Sequence, residues 1–202
     1  MKSQSFNIVI YPSADVSQEA VTVSKKLEKN GGLFVLNGKN YFPHITIYMT
    51  EFPVKNIPKI RKTLREFAAK TKPFHVTSLK YRQSKEGYID VEYRKSKEMK
   101  NLQKKIVSLL NPWREGLLRP KDRARMSEVS KTQQRNIMRY GYRCVGAEFF
   151  PHLTFTKLKK FDKSALVKIE KLNFSFEIER IGLFYLGDYG TCRKLIEVFD
   201  LS

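Results

Sequence analysis

Residues 42–47 read F-P-H-I-T-I, and residues 150–155 read F-P-H-L-T-F. Four of the six positions are identical, and the other two hold apolar residues in both copies. In a β-strand successive side chains alternate between faces, so His44 and Thr46 point to one side and Ile45 to the other. The second copy repeats this alternation. Each copy therefore buries apolar residues and presents an imidazole beside a hydroxyl.

Each copy of the six-residue motif lies at the start of one of two similar stretches of chain. Their histidines, His44 and His152, are 108 residues apart, and each copy precedes the pattern of a helix, a strand and a strand pair. The far ends of the two stretches also agree, with I-D-V at 89–91 and I-E-V at 196–198. We interpret the repeat as two similar halves related by a pseudo-two-fold axis. Packing about that axis turns both imidazole–hydroxyl pairs towards one groove.

Helical and strand periodicities are mixed along the chain, which predicts an α+β fold. The 97–110 helix is the clearest case, because Leu102, Ile106 and Leu109 line one face and Pro112 ends the pattern. The other predicted helices span 17–30, 57–70 and 163–172. The predicted strands span 6–11, 33–36, 44–49, 74–81, 88–93, 149–156, 174–178, 181–186 and 194–199.

The periodicity fades in a basic segment, which we place at about 113–146 as an insert in a single domain over 1–202. From 114 to 143 this segment holds nine basic and three acidic residues. Such a charge run either forms a solvated face or contacts the phosphates of RNA, whose unpaired bases stack on nearby aromatic rings. The candidate substrate-binding residues are Arg123, Arg125, Arg139 and Tyr142, together with Tyr189 in the 187–190 turn.

The composition narrows the class of protein. The chain has 202 residues, 41% of them apolar, with 14 Phe and 10 Tyr, which excludes wholesale disorder. A net charge of +19 favours a polyanionic partner. No stretch is long and apolar enough to span a membrane or resembles an export signal, so we expect a cytoplasmic protein without a membrane partner. Cys144 and Cys192 fit neither a disulfide framework nor a zinc site.

Two His–Thr pairs around one groove suit phosphodiester chemistry. A neutral imidazole accepts a proton from a hydroxyl or water, and a protonated one donates to the leaving oxygen. With reference pKa values near ~6.5, small shifts place the two imidazoles in different states at neutral pH. The hydroxyls of Thr46 and Thr154 can donate to non-bridging phosphate oxygens. With three His in the chain and no carboxylate cluster beside either motif, we expect no metal and no cofactor.

The paired H-x-T-x motifs resemble those of the two-histidine (2H) phosphoesterase superfamily, which includes RNA cyclic phosphodiesterases and 2′-5′ RNA ligase-like proteins. Both motifs are complete, and Pro43 and Pro151 precede their histidines. The resemblance implies two pseudo-symmetric lobes of antiparallel sheet, with outer helices, around a central groove. It also implies metal-independent cleavage or formation of phosphodiester bonds at a ribose 2′ or 3′ oxygen. The motif histidines would be the acid–base pair, and the motif threonines would bind phosphate.

We therefore predict a monomeric phosphodiesterase that acts on RNA or oligonucleotides. It would open a 2′,3′-cyclic phosphate or cleave a 2′-5′ linkage. Two alternatives remain open, namely an RNA 2′-5′ ligase with related chemistry and a non-catalytic RNA-binding module that uses a basic groove. A third H-x-T match, at His75, lacks the preceding proline, and we interpret it as a strand or surface residue.

Overall fold

A computed structural model of the chain describes residues 1–162, 164–167, 169 and 173–202. It confirms the predicted α+β fold with a large antiparallel sheet. The strands are β1 (Ser3–Ile10), β2 (Ile45–Pro53), β3 (Phe74–Val76), β4 (Ser78–Gln83), β5 (Tyr88–Tyr93), β6 (His152–Lys157), β7 (Phe176–Ile178), β8 (Arg180–Leu186) and β9 (Cys192–Asp200). The helices are α1 (Ala14–Glu28), α2 (Ile57–Ala68), α3 (Lys97–Leu110), α4 (Pro120–Ala124), α5 (Lys131–Tyr140) and α6 (Ser164–Val167).

The two motif strands are neighbours at the centre of the main sheet. Its strand order is β4-β5-β6-β2-β1-β8-β9, and β2 pairs antiparallel with β6 through Ile45 and Leu153. These are the residues that follow the two motif histidines. A pseudo-two-fold axis through this pair relates β2 to β6, β1 to β5 and β8 to β4.

This arrangement corrects the match between 89–91 and 196–198. β5 lies directly beside its motif strand β6, whereas β9 lies at the far edge of the sheet and pairs with β8. The spatial counterpart of β5 is β1, which comes before the first motif in the chain. The two halves are therefore similar in space without being a simple sequence repeat.

The core lies on one face of the sheet, between the strands and the helices. Phe6, Ile8 and Ile10 alternate along β1 and are fully buried in it. The α3 helix, predicted over the same residues, buries Leu102 and Ile106 there. Burial of each such side chain stabilises the fold by about 1.5–3 kcal/mol. In the part of the chain that the structure describes, no helix has the length and apolar character needed to cross a lipid bilayer.

Two strand predictions were wrong in detail. Residues 33–36 form no strand. The Leu33 N–H donates to the Lys157 carbonyl of β6 at 2.8 Å, but side chains take the next bonds: the Phe34 carbonyl accepts from Thr156 Oγ1 at 2.7 Å, and the Leu36 N–H donates to Ser24 Oγ at 2.9 Å. The stretch predicted as one strand over 74–81 is divided between β3, which pairs with β7 in a second small sheet, and β4 in the main sheet. Of the predicted 163–172 helix, the structure describes α6, and both predicted ends lie outside the described residues.

The basic segment folds against the main sheet. The Tyr48 hydroxyl on β2 donates to the Tyr140 carbonyl at 2.6 Å, and the Thr50 hydroxyl donates to the Gly141 carbonyl at 3.2 Å. Arg114, 4% exposed, donates to backbone carbonyls at both ends of the segment, including those of Leu117 and Met138. Since its backbone carbonyls are bonded to the sheet and to Arg114, the segment is ordered and packs on the main sheet.

Candidate active site

The two motif imidazoles are anchored in the same way. The Nδ1–H of His44 donates to the Phe42 carbonyl at 2.8 Å, and the Nδ1–H of His152 donates to the Phe150 carbonyl at 2.7 Å. A carbonyl only accepts, so each Nδ1 carries a proton and each Nε2 is left for a ligand. In both copies the carbonyl belongs to the residue two positions before the histidine.

The four predicted catalytic side chains share one face of the sheet. Ile45 and Leu153 are fully buried on the core face. Side-chain alternation therefore turns the flanking residues of both strands to the opposite face. The structure thus brings His44, Thr46, His152 and Thr154 together beside the pseudo-two-fold axis.

The two threonine hydroxyls have different partners. Thr154 Oγ1 donates to Asp90 Oδ1 at 2.7 Å, and Asp90, 1% exposed, lies opposite Thr154 in the ladder between β5 and β6. Thr46 Oγ1 instead accepts from the Asn7 side-chain amide at 3.0 Å. The proton of the Thr46 hydroxyl therefore remains available to a phosphate oxygen, whereas that of Thr154 is used by a carboxylate.

Charged and aromatic groups surround His152. The Phe150 ring stacks on its imidazole with centroids 5.1 Å apart. The guanidinium of Arg82, a residue of β4, lies 4.2 Å from the Phe150 ring centroid and forms ion pairs of 3.4 Å with both Asp90 and Glu92. Guanidinium, phenyl ring and imidazole thus form one stack that orients His152.

Apolar groups surround His44. Phe42 packs with Val9, Phe184 and Cys192 in a small buried cluster on the site face. Burial lowers the pKa of His44 to about 4, the hydrogen bond to the Phe42 carbonyl opposes this shift, and the charge of His152 adds to it. His44 is therefore neutral at pH 7, with a lone pair on Nε2.

The turn that carries Tyr189 borders this half of the site. The backbone of Gly190 lies close enough to His44 to raise its pKa, against the larger effect of burial. Tyr189 itself is 39% exposed and has a φ of 59°, a left-handed conformation that side chains rarely adopt. Its ring stacks on Phe34 at 6.3 Å and lies 5.2 Å from Lys157 Nζ on β6. The role of Tyr189 as a substrate-binding residue stays a prediction.

The predicted substrate-binding residues of the basic segment differ in how far they are exposed to solvent. Tyr142 is 7% exposed and packs in the core against Tyr48 at 6.3 Å, so the prediction that its ring contacts substrate was wrong. Arg123 and Arg139 are exposed, and Arg139 lies 5.2 Å from the Tyr140 ring. Arg125 acts electrostatically on Tyr88, a residue on the site side of β5.

His75 lies apart from the other two histidines. It is exposed on β3 in the second sheet, opposite Glu177 of β7. This position agrees with its interpretation as a surface strand residue. Among the described residues, no group of three or more His, Cys, Asp or Glu side chains is arranged to hold a metal ion.

Sequence reasoning missed four residues that support the site: Asn7, Arg82, Asp90 and Phe150. Two of them, Asn7 and Asp90, could have been recognised in the sequence as polar residues within apolar strands. Asn7 interrupts an apolar strand and is fully buried, and Asp90 stands between Ile89 and Val91 in another. A polar side chain on a strand that otherwise reads as buried needs a hydrogen-bond partner, and here the partners are the motif threonines.

Solved structures with this architecture are similar over essentially the whole chain. LigT of E. coli, solved as a complex with NADP+, has a TM-score of 0.62 at 13% identity, covering 99% of both chains. TT0787 of Thermus thermophilus has a TM-score of 0.59 at 13% identity, covering 98% of both chains. A protein solved as a phosphoesterase has a TM-score of 0.60 at 15% identity, covering 98% of this chain and 99% of its own. The fold is therefore that of the 2H phosphoesterases, as predicted.

A protein-family model also matches part of the chain. The model described as "Protein of unknown function (DUF1045)" matches residues 53–184, about two thirds of the chain, so the chain belongs to that family. The matched region contains the second motif and begins after the first. No curated protein sequence matches the chain significantly.

Proposed function

We propose that the chain is a metal-independent phosphodiesterase that acts on RNA or oligonucleotides at a ribose 2′ or 3′ oxygen. One observation carries this proposal. Two imidazoles, each anchored through Nδ1 to a backbone carbonyl, lie on the same face of the main sheet as two threonine hydroxyls. Opening of a 2′,3′-cyclic phosphate and cleavage of a 2′-5′ linkage both need this set of groups.

His44 is the general base in this mechanism. Its imidazole is neutral at pH 7, and its Nδ1–H is held by the Phe42 carbonyl, so the Nε2 lone pair is free. Nε2 accepts the proton of a water molecule, or of a ribose hydroxyl, as that oxygen bonds to phosphorus. A bound phosphate also favours the imidazolium that forms, because its negative charge lies beside it.

His152 is then the general acid. A neutral His44 has no proton on Nε2 to give, so the proton for the leaving oxygen comes from Nε2 of a protonated His152. As the bond between phosphorus and the leaving oxygen breaks, that oxygen takes this proton. At the end of the step His44 is protonated and His152 neutral, and exchange with solvent restores the starting states.

The threonines bind the phosphate between the imidazoles. Thr46 donates its free hydroxyl proton to a non-bridging oxygen, where negative charge develops in the transition state. Thr154 is oriented by Asp90 and reaches the phosphate by exchanging this hydrogen bond for one to the second non-bridging oxygen. The net charge of +19 favours a polyanionic substrate.

The ligands found in similar structures support a nucleotide substrate. E. coli LigT, whose fold this chain shares, has also been solved as complexes with 3′-AMP and with phosphate. A 3′-phosphorylated nucleotide is a product of opening a 2′,3′-cyclic phosphate on one side. This supports testing ribose-linked phosphates first.

The test is turnover in EDTA on four substrates: a 2′,3′-cyclic nucleotide, an RNA with a 2′,3′-cyclic end, a 2′-5′ oligoadenylate and its 3′-5′ isomer. We expect selective turnover that His44→Ala and His152→Ala each reduce by at least about 10²-fold. His75→Ala is the matched control and retains wild-type turnover.

Two results would overturn the proposal. Wild-type hydrolysis in either motif-histidine variant would remove the two-histidine mechanism. Absence of turnover on all four substrates, with salt-sensitive RNA binding intact, would identify a non-catalytic RNA-binding module instead. Joining of RNA ends without hydrolysis would identify a ligase.

A further inference from the structure

Lys157 lies on the face of the main sheet that carries the motif histidines. It stands opposite Tyr88 in the ladder between β5 and β6, and Tyr88 comes two residues before Asp90 on β5. Residues two apart on a strand share a face, and Asp90 bonds to Thr154 on the catalytic face. Because ladder partners also share a face, the Lys157 side chain emerges on the catalytic face, five residues beyond His152.

The equivalent position in the other half of the site holds a methionine. Met49 follows His44 by five residues on β2, as Lys157 follows His152 on β6. In both ladders a register shift comes directly after the motif threonine, so the two positions correspond. A cation at this position is therefore a feature of one half of the site only.

The ammonium group of Lys157 is held by aromatic rings. Its Nζ lies 5.3 Å from the ring centroid of Tyr88 and 5.2 Å from that of Tyr189. Among the described residues, none of the ion pairs includes Lys157. A cation–π contact at a partly exposed site is weaker than a charge-assisted hydrogen bond to a phosphate oxygen. The ammonium group can therefore exchange these rings for a bound phosphate.

The Tyr189 ring is fixed by a row of stacked rings. It stacks on Phe34 with centroids 6.3 Å apart, and Phe34 stacks on Tyr41 with centroids 5.7 Å apart. The guanidinium of Arg193 ends the row, 4.2 Å from the Tyr41 ring centroid. At a φ of 59° a tyrosine is less stable than a glycine, and strain of this kind is typical of ligand-binding positions.

Tyr189 also borders both halves of the catalytic face. Three residues after it, the Cys192 carbonyl accepts at 3.1 Å from the N–H of Phe42, whose own carbonyl anchors His44. On the other side, the Tyr189 ring contacts Lys157 of β6. An exposed ring and an unpaired ammonium group thus lie together beside the motif residues.

We propose that Lys157 and Tyr189 form a nucleotide subsite, in which the ammonium group binds a phosphate oxygen and the ring stacks on the base. This inference rests on the proposed function and adds a base to its substrate requirement. When the phosphate draws the ammonium group away, the face of the Tyr189 ring is uncovered for the base. Stacking is tolerant of base identity because every base has a π-face.

The experiment compares two forms of whichever substrate the four-substrate assay identifies. One carries adenine at the reactive nucleotide, and the other carries a methoxy group at C1′ in its place, with the same ribose and phosphate. The wild type is measured beside Tyr189→Gly, Tyr189→Phe and Lys157→Met. Glycine adopts a positive φ without strain, so Tyr189→Gly removes the ring and keeps the turn. The matched controls are Phe161→Ala, which removes another exposed ring, and Lys159→Met, which removes an exposed cation nearby.

For the wild type we expect kcat/KM to be at least about tenfold higher with adenine than with the methoxy group. Tyr189→Gly should bring this ratio close to one, and Tyr189→Phe should preserve it. Lys157→Met should lower kcat/KM about tenfold on both forms and reduce its dependence on log salt by about one unit of slope. Both controls should stay within about twofold of the wild type on both forms.

Three results would overturn this inference and leave the proposed function intact. They are equal wild-type turnover of the two forms, an unchanged ratio in Tyr189→Gly, and a Lys157→Met variant that behaves like Lys159→Met. Absence of wild-type turnover on either form would overturn both the inference and the proposed function.

Discussion

His44 and His152 occupy equivalent positions about the axis through Ile45 and Leu153, yet their surroundings differ in charge. Both imidazoles donate Nδ1–H to the carbonyl two residues earlier. Near His44 lies the apolar cluster that contains Phe42, whereas the charged Glu92 lies opposite His152 in the ladder between β5 and β6. The shared hydrogen bond positions both rings, and burial lowers the pKa of His44.

The threonines extend this comparison. Thr46 is supported by a buried amide, that of Asn7, and Thr154 by a buried carboxylate, that of Asp90. Asn7 and Asp90 lie on β1 and β5, the strands that the axis relates. The threonines thus differ in their supporting side chains, an amide on one side and a carboxyl group on the other. The predictions below test this difference, in order of decreasing effect.

The largest effect comes from exchanging the two supporting residues. Asn7→Asp places an uncompensated carboxylate beside Val9 and Cys192, and should lower the free energy of unfolding by about 3–5 kcal/mol. Asp90→Asn keeps an oxygen acceptor for Thr154 and should cost about 1 kcal/mol. Urea unfolding at pH 7 measures both. Equal losses would show that the two halves do not differ in polarity.

Acid should destabilise the protein through His44. The unfolded chain binds a proton there near pH ~6.5, but the folded chain does so only near pH 4. Between these values the unfolded state holds more protons, so stability present above pH 6.5 is lost as the pH falls towards 4, by about 3 kcal/mol.

The measurement is the difference in unfolding free energy between pH 7 and pH 4. In His44→Gln this difference should shrink by about 3 kcal/mol relative to the wild type. His75→Gln, on the exposed strand β3, is the control and should leave it unchanged. A His44→Gln variant as acid-sensitive as the wild type would contradict the lowered pKa of His44.

Removing the two hydroxyls should have unequal effects on catalysis. Thr46→Val should lower kcat by about 10²-fold, because its free proton stabilises the developing charge on phosphate. Thr154→Val should lower kcat by about tenfold, since the Thr154 hydroxyl must first give up its bond to Asp90. Thr46→Ser and Thr154→Ser keep the hydroxyls and should recover most of each loss. A larger effect at Thr154 would reverse the assignment.

The smallest effect distinguishes the two phenylalanines whose carbonyls anchor the imidazoles. Phe150→Leu removes a stack worth about 0.5–1.5 kcal/mol, and should lower kcat/KM by about three- to tenfold with little change in stability. Phe42→Leu, inside the apolar cluster, should instead cost up to about 1.5 kcal/mol of stability. Each variant keeps its carbonyl, so kinetics and thermal unfolding together separate the roles. The same phenotype in both would remove the distinction.

The motif residues were predictable because each motif is local. Strand alternation and the repeat place the imidazoles and hydroxyls on one face without knowledge of any strand partner. The supporting residues were not predictable as partners, because pairing joins Asp90 to Thr154 across 64 residues and Asn7 to Thr46 across 39. The match of 89–91 with 196–198 failed for the same reason, since β1 occupies the position that the repeat assigned to β9.

The wrong predictions share a physical cause. Tyr142 stands in a basic segment that suggested exposure, but its ring packs in the core with Tyr48. Residues 33–36 have the composition of a strand, yet side chains of Ser24 and Thr156 take the hydrogen bonds that a neighbouring strand would. Tertiary contacts override local composition at both places.

In the part of the chain that the structure describes, the central strand pairing is also the shortest in the main sheet. A single residue pair, Ile45 with Leu153, joins β2 to β6, whereas β1 and β2 are paired along their length from Ser3–Pro53 to Ile10–Ile45. This pairing lies between the two motif histidines, so few ladder hydrogen bonds fix the spacing of the two imidazoles. We therefore expect that spacing to vary more than the spacing of groups within either half.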